Sequence, residues 1–253
     1  MRFLRLRYYL QMASVTILLG SCQKAWYPVA QLPAETDIKL SETLPPETTT
    51  EATIAPFRMQ MSKQMNEVLG TSAQELPKVG VGETALGNFV TQVQLAQSLP
   101  LYKKDIDMSL MTTGGLRAGI PQGPVTLSHI FELSPFENQL VILTLPGTTV
   151  EKLFNEAART RELIIQNATF TIKDAKPTQI LINGKPLDSG KTYKVVMSNY
   201  LANGGDDLSF LSEATAVEPV GILVREALIK HIRELNASGK SIEARIDGRM
   251  KVQ

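Results

Sequence analysis

The apolar run Val195-Val196-Met197 leads directly into Ser198-Asn199-Tyr200-Leu201-Ala202-Asn203-Gly204-Gly205-Asp206. The run suits a buried strand, and the paired glycines end it. Gly-Gly lets the backbone take positive φ and come close to another surface. A carboxylate just past such a turn is held near the end of the strand, where α/β folds commonly place ligands. The bland alternative is an ordinary strand-to-loop corner, with Tyr200 half buried and Asp206 solvated. A second stretch has the same form. Asp107 to Met111 reads as a buried strand and ends in Thr112-Thr113-Gly114-Gly115-Leu116-Arg117, where the charged residue is a cation.

The first residues stand apart from any fold. Met1 to Tyr9 carries Arg2, Arg5 and Arg7 and no acid, then a mostly apolar stretch runs from Leu10 to Leu19. These are the n-region and h-region of a secretory signal, too short for a stable membrane span. Leu19-Gly20-Ser21-Cys22 resembles the bacterial lipobox, which implies a signal over residues 1–22 and a lipid on Cys22. Cys22 is the single cysteine, so no intramolecular disulfide is available in the oxidising compartment that the signal implies. Gln23 after the cysteine, in place of Asp, points within that resemblance to the outer membrane. The expected location is therefore the bacterial cell envelope. Formal net charge is +1, with no basic block after Cys22, so nothing supports electrostatic binding of nucleic acid or of a membrane surface.

Residues 23–53 are rich in Pro, Thr and Glu, with Pro45-Pro46 and Thr48-Thr49-Thr50, and read as an extended tether. A folded domain is expected over residues 54–253. Phe57, Met61, Met65 and Leu69 at four-residue spacing predict a packed helix from Ile54 to Leu69, closed by Gly70. Thr84 is placed to cap a helix reaching about Ser98, with Gly87 inside it marking close approach of another backbone. Gln139 to Leu145 is the strongest strand in the chain. Asn183-Gly184 is a hairpin signal. Pro219 leads into a helix with Ile222, Leu223, Leu228, Ile229 and Ile232 apolar. Helices and strands mix without a βαβ repeat, so the expected fold is α+β, a single domain with a mixed sheet and packed helices.

Four motifs occur in order: Glu83-Thr84-Ala85-Leu86-Gly87-Asn88-Phe89, Gly114-Gly115-Leu116-Arg117, Pro135-Phe136-Glu137-Asn138 and Asn199 to Asp206. With the Gln139–Leu145 strand and its Pro146-Gly147 turn after the third, they resemble the C-terminal, substrate-recognition domain of the 5′-nucleotidase family. The resemblance runs from about Ile54 to the C-terminus. It implies that Phe136 and Tyr200 stack on the two faces of a nucleobase, and an aromatic sandwich holds any flat base without hydrogen-bond readout. Asn138 would meet the base edge, where its amide both donates and accepts. Asp206 would accept from ribose hydroxyls, and Arg117 would face ribose or phosphate, where its planar fork suits oxyanions. Singly, each residue has a plainer role: Phe136 in a core, Asn138 in a turn, Arg117 in a surface ion pair.

The chain departs from the family at several places. Thr112 stands where an asparagine is usual, Gly82 where several members have an arginine, and Gln92 where an aspartate is common. Ile165-Gln166-Asn167-Ala168 lacks a Ser-Gly, and Asp207 follows Asp206 where a glycine is usual. These departures bear on phosphate contacts and tight base fit more than on stacking. The family's chemistry is two-metal phosphate ester hydrolysis, which needs a set of His, Asp and Asn ligands. Here the histidines are His129 and His231 alone, and both read as structural or surface residues. No metal site, catalytic triad or Walker-type loop is assigned. The resemblance thus implies a chain that holds a nucleoside or nucleoside monophosphate, with divalent metals supplied by a separate metallophosphoesterase chain. The alternative is a nucleoside-binding or scaffold lipoprotein without such a partner.

Overall fold

The computed structural model describes residues 45–253. The secretory signal, Cys22 and most of the expected tether lie outside the described residues. Contacts divide the chain into Met1–Glu51 and a compact unit, Ala52–Gln253.

The first described helix, α1 (Thr48–Met65), starts inside the stretch expected to be extended and ends before Leu69. None of its residues is buried, and Phe57 is 67% exposed, so its apolar spacing does not mark packing. Leu69 instead enters the core from β1 (Val68–Ser72). Gly70 is also in that strand, not at a helix end. A Cβ there would lie 2.9 Å from Ile232 Cγ2, so its role is close packing against a later helix.

The frame is a mixed five-stranded sheet. Its members in chain order are β2 (Met108–Thr112), β4 (Gln139–Pro146), β5 (Leu163–Gln166), β9 (Thr192–Ser198) and β10 (Ala216–Leu223). Their spatial order is β10-β4-β9-β2-β5, with β2 and β9 parallel and the other pairs antiparallel. The central strands are buried on both faces, which explains their continuous apolar runs. Leu140 and Ile142 of β4 join one core, while Val141, Leu143 and Leu145 join the other. Val196 of β9 faces the first core, and Val195 and Met197 the second. Each such residue contributes about 1.5–3 kcal/mol when fully buried.

The first core is covered by α2 (Ala85–Tyr102), α3 (Leu127–Leu133) and α6 (Val224–Ala237), beside a small pair formed by β1 and β3 (Gly123–Thr126). The second is covered by α4 (Gly147–Thr160) and a four-stranded sheet, β11-β6-β7-β8. Those strands are β6 (Ala168–Lys173), β7 (Lys176–Ile182), β8 (Lys185–Pro186) and β11 (Met250–Val252). The β7–β8 hairpin turns on Asn183 and Gly184 at φ +50° and +73°, the paired positive φ that an Asn-Gly turn supplies. This is the α+β arrangement with mixed sheets that the sequence pattern implied.

Thr84 caps α2 through Oγ1, which accepts from the Gly87 backbone N–H at 3.0 Å. Gly87 does mark a close approach, to the Ile164 side chain rather than to backbone: a Cβ would sit 2.4 Å from Ile164 Cδ1. Glu83 and Asn88 of the same motif tie the helix start to the chain end. Glu83 Oε1 accepts from the Asp247 and Gly248 backbones and from Asn88 Nδ2. Pro219 lies within β10 and the last helix begins only at Val224, because residues 216–219 pair with β4.

His129 and His231 both have structural partners. His129 Nδ1 accepts from the Thr126 backbone N–H at 3.0 Å and closes the start of α3. His231 in α6 packs on Phe89, ring centroids 6.0 Å apart, near Gln97. Burial pushes His231 below the ordinary histidine value, outweighing the pull of Glu234. The unfolded chain then takes up the proton before the folded one does. Stability from this group is complete above the ordinary histidine range and is lost as pH falls through the depressed folded value. Denaturant unfolding measured between about pH 8 and about pH 5 is expected to show this loss, and His231→Phe to flatten that part of the profile.

Candidate functional site

Three loops meet at one edge of the five-stranded sheet because of strand direction. β2 and β9 are parallel, so the turns after Thr112 and Ser198 emerge together. β4 runs the other way, with Leu140 opposite Ser198, so the segment entering β4 arrives at the same edge. That segment carries Pro135, Phe136, Glu137 and Asn138.

After β9, Ser198 Oγ caps the single turn α5 (Asn199–Ala202) by accepting from the Leu201 backbone N–H. The chain then turns through Gly204 at φ +88°, and Asp206 and Asp207 follow at +53° and +61°. Aspartate is among the few non-glycine residues that enter this region readily. Gly205 is required for a different reason. A Cβ there would lie 2.5 Å from Tyr200 Cε1 and Cζ, so the ring rests directly on the bare backbone.

Two hydroxyls hold Asp206. Tyr200 Oη donates to Oδ1 at 2.9 Å, and Thr112 Oγ1 donates to Oδ2 at 2.6 Å. The carboxylate pushes the Tyr200 phenol above its usual value, chiefly through that hydrogen bond and then through its charge. One face of Tyr200 is therefore covered by Gly205, its tip is anchored, and the residue remains 50% exposed.

The facing loop is held by Arg225 at the start of α6. This side chain is buried, and its Nη1 donates to the carbonyls of Ser134, Pro135 and Phe136 at 3.3, 3.1 and 3.3 Å. Its guanidinium carbon stands 4.2 Å from the Phe131 ring centroid, a cation–π contact. The Val224 N–H donates to the Asn138 carbonyl, and the Gln139 N–H donates to Asn199 Oδ1 at 3.0 Å, joining this loop to the Tyr200 turn. Phe136, thus fixed through its backbone, leaves its ring 47% exposed. Arg117 stands 5.8 Å from the Phe136 ring centroid and its Nη1 donates to the Gly114 carbonyl at 3.4 Å.

Of the residues singled out in the sequence, Arg117 and Phe136 are therefore in contact, as are Tyr200 and Asp206. Asn138 is placed by its backbone, and its side chain makes no hydrogen bond among the described residues. Phe136 and Tyr200 make no ring contact with each other among the described residues. Two exposed rings on tied loops can receive a flat ligand, and the carboxylate beside one of them can accept from hydroxyls. Behind Asp206 lies a cavity of about 480 Å³, lined in part by Lys78, Gly114, Glu162, Asp206 and Asp207.

The family described as 5′-nucleotidase, C-terminal domain, matches residues 65–213. The chain belongs to this family. It is 26% identical to the trifunctional nucleotide phosphoesterase protein YfkN of Bacillus subtilis, over 77% of this chain and 14% of that protein. It is 24% identical to protein UshA of Escherichia coli, over 72% of this chain and 34% of that protein. A solved 5′-nucleotidase precursor from Thermus thermophilus superposes with a TM-score of 0.70 at 26% identity, covering 82% of this chain and 44% of that one. The chain thus spans about a third or less of the length of these curated relatives.

Within this 5′-nucleotidase C-terminal domain, sequence reasoning missed Arg225 and Thr112 as supports. Thr112 stood out only as a departure, and Arg225 sits in an amphipathic helix where an arginine looks like a solvated residue. Replacing Arg225 with Met is expected to lower stability by about 2 kcal/mol, since backbone carbonyls lose a buried donor. Denaturant unfolding measures this. Gly205→Ala is expected to swing the Tyr200 ring out and break its bond to Asp206. The Tyr200 phenol, followed by NMR titration, then returns toward its ordinary value.

Proposed function

We propose that this chain is the nucleotide- or nucleoside-recognition component of a two-chain 5′-nucleotidase, with hydrolysis carried out by a separate metallophosphoesterase chain. The observation that carries the reading is the pair of half-exposed rings, Phe136 and Tyr200, on loops tied by the Asn199–Gln139 hydrogen bond, with Asp206 at the tip of Tyr200. A base enters between the rings. Asp206 accepts from ribose hydroxyls, since each carboxylate oxygen keeps lone pairs beyond the one already used. Asn138 reads the base edge, and Arg117, already lying on Phe136, faces the sugar or phosphate side.

Phosphate ester hydrolysis by the family's two-metal chemistry does not fit the residues described. Among them no group of three or more His, Cys, Asp or Glu is arranged to hold a metal ion, and both histidines are engaged elsewhere. Support for nucleotide chemistry comes from the family and from YfkN, whose name describes it as a nucleotide phosphoesterase. At the N-terminus, the signal-like residues 1–22 support export and a lipid anchor at Cys22, in the envelope and at the outer membrane.

A second reading, a nucleoside-binding or scaffold lipoprotein with no catalytic partner, draws on Gly82. Its position is open, with nothing within 4 Å of where a Cβ would stand, and it supplies no cation.

Phosphate release from AMP with added manganese separates the two readings. The two-chain reading predicts none from this chain alone and release when a metallophosphoesterase chain encoded beside it is added. No release with that chain present leaves the second reading standing. Both readings predict adenosine binding by calorimetry. Tyr200→Ala is expected to weaken it by about 1–3 kcal/mol, the worth of one stacked face.

A further inference from the structure

We infer that the site selects an uncharged nucleoside over its 5′-phosphorylated form, and that the cavity behind Asp206 sets this preference. The inference rests on the clamp reading above. A base lying on the free face of Tyr200 brings its sugar to Asp206, because the phenol tip and the carboxylate are joined by a 2.9 Å hydrogen bond. Asp206 also lines the cavity, so the sugar stands at its mouth and substituents of the sugar face its walls.

Those walls suit donors and oppose anions. Glu162, Asp206 and Asp207 are carboxylates, acceptors only when ionised. Lys78 is the one cation among the lining residues. Two arginines close to the lining residues have partners of their own. Arg117 bonds the Gly114 carbonyl and lies against Phe136. Arg159 holds Glu156 through Nε and Nη2 at 3.0 and 2.5 Å, although Asp207 and Glu162 act on its charge as well. Gly82, in the loop that closes the cavity, has no side chain to add. Sugar hydroxyls donate to such walls. A phosphate dianion has no proton to donate, and among the lining residues it meets three like charges against one opposite charge. Thr112 strengthens the contrast, since its hydroxyl holds Asp206 in place and is not free to donate to a phosphate.

In a two-chain enzyme this preference has a consequence. The recognition chain alone binds product better than substrate, and the phosphate is tolerated only when the partner's metal ions neutralise it. For a nucleoside-capture protein it is the selectivity itself.

The test is calorimetry on the full chain in detergent, with adenosine and with AMP as ligands, at about 20 mM and about 300 mM salt. Adenosine is expected to bind about tenfold more tightly than AMP at the lower salt, with the gap narrowing at the higher. Asp207→Asn keeps a residue that accepts positive φ, and Glu162→Gln keeps the side-chain shape. Each is expected to raise AMP affinity selectively, and together they bring the two ligands near parity. The single variants decide the matter if the double variant unfolds. AMP binding as tightly as adenosine to the unaltered chain would overturn the inference, as would a gap that both variants leave unchanged. If neither ligand binds and Tyr200→Ala changes nothing, the clamp reading falls and this inference with it, a result distinct from a reversed preference.

Discussion

The parallel pairing of β2 with β9 is the constraint on which the site depends. Met108 pairs with Val195 and Ser109 with Val196, while β4 lies antiparallel on the other side of β9. Two strand ends and one strand start therefore share an edge, and each brings an irregular loop with it. Burial on both faces makes that register hard to slip. A shift of one residue would exchange Leu140 and Ile142 with Val141 and Leu143 between two differently covered cores. The site is thus placed by the interior of the sheet, well away from any residue that would touch a ligand.

Two supports then shape the edge. Asp206 takes hydroxyl donors from Tyr200 and from Thr112, linking the ends of β9 and β2 through a single carboxylate. Arg225 gathers three successive carbonyls of the Phe136 loop while stacking on Phe131. A donor shared among them suits this task, since backbone carbonyls at a loop would otherwise need water or separate partners. Both rings are half exposed, with Tyr200 anchored at its tip and Phe136 held through its backbone.

Electrostatics give the edge two characters. The ring side carries Arg117, while the cavity side carries three carboxylates and Lys78. Asp207 adds an anion to the acidic side, and Gly82 adds no cation. The exposed helix α1 is a separate matter, since none of its residues is buried.

Much of this was legible in the chain. The Gly-Gly turns, the Phe136 and Tyr200 motifs and the Gln139–Leu145 strand follow from local chemistry: glycine frees φ, Asn-Gly makes a hairpin, and long apolar runs demand burial on both faces. Thr84 as a cap was a local signal that held, while Gly87 marked a close approach to the Ile164 side chain and not to another backbone. Leu69 and Gly70 misled because a four-residue spacing does not say where a helix stops, and pairing with β3 takes Leu69 out of the helix. Thr112 and Arg225 were out of reach for a related reason. Thr112 meets Asp206 across 94 positions and Arg225 meets Pro135 across 90. Sequence by itself determined that the long apolar strand runs had to be buried and where the backbone had to turn. Only the tertiary structure decided which distant hydroxyl and guanidinium hold the loops, because strand order and direction alone bring those donors to their acceptors.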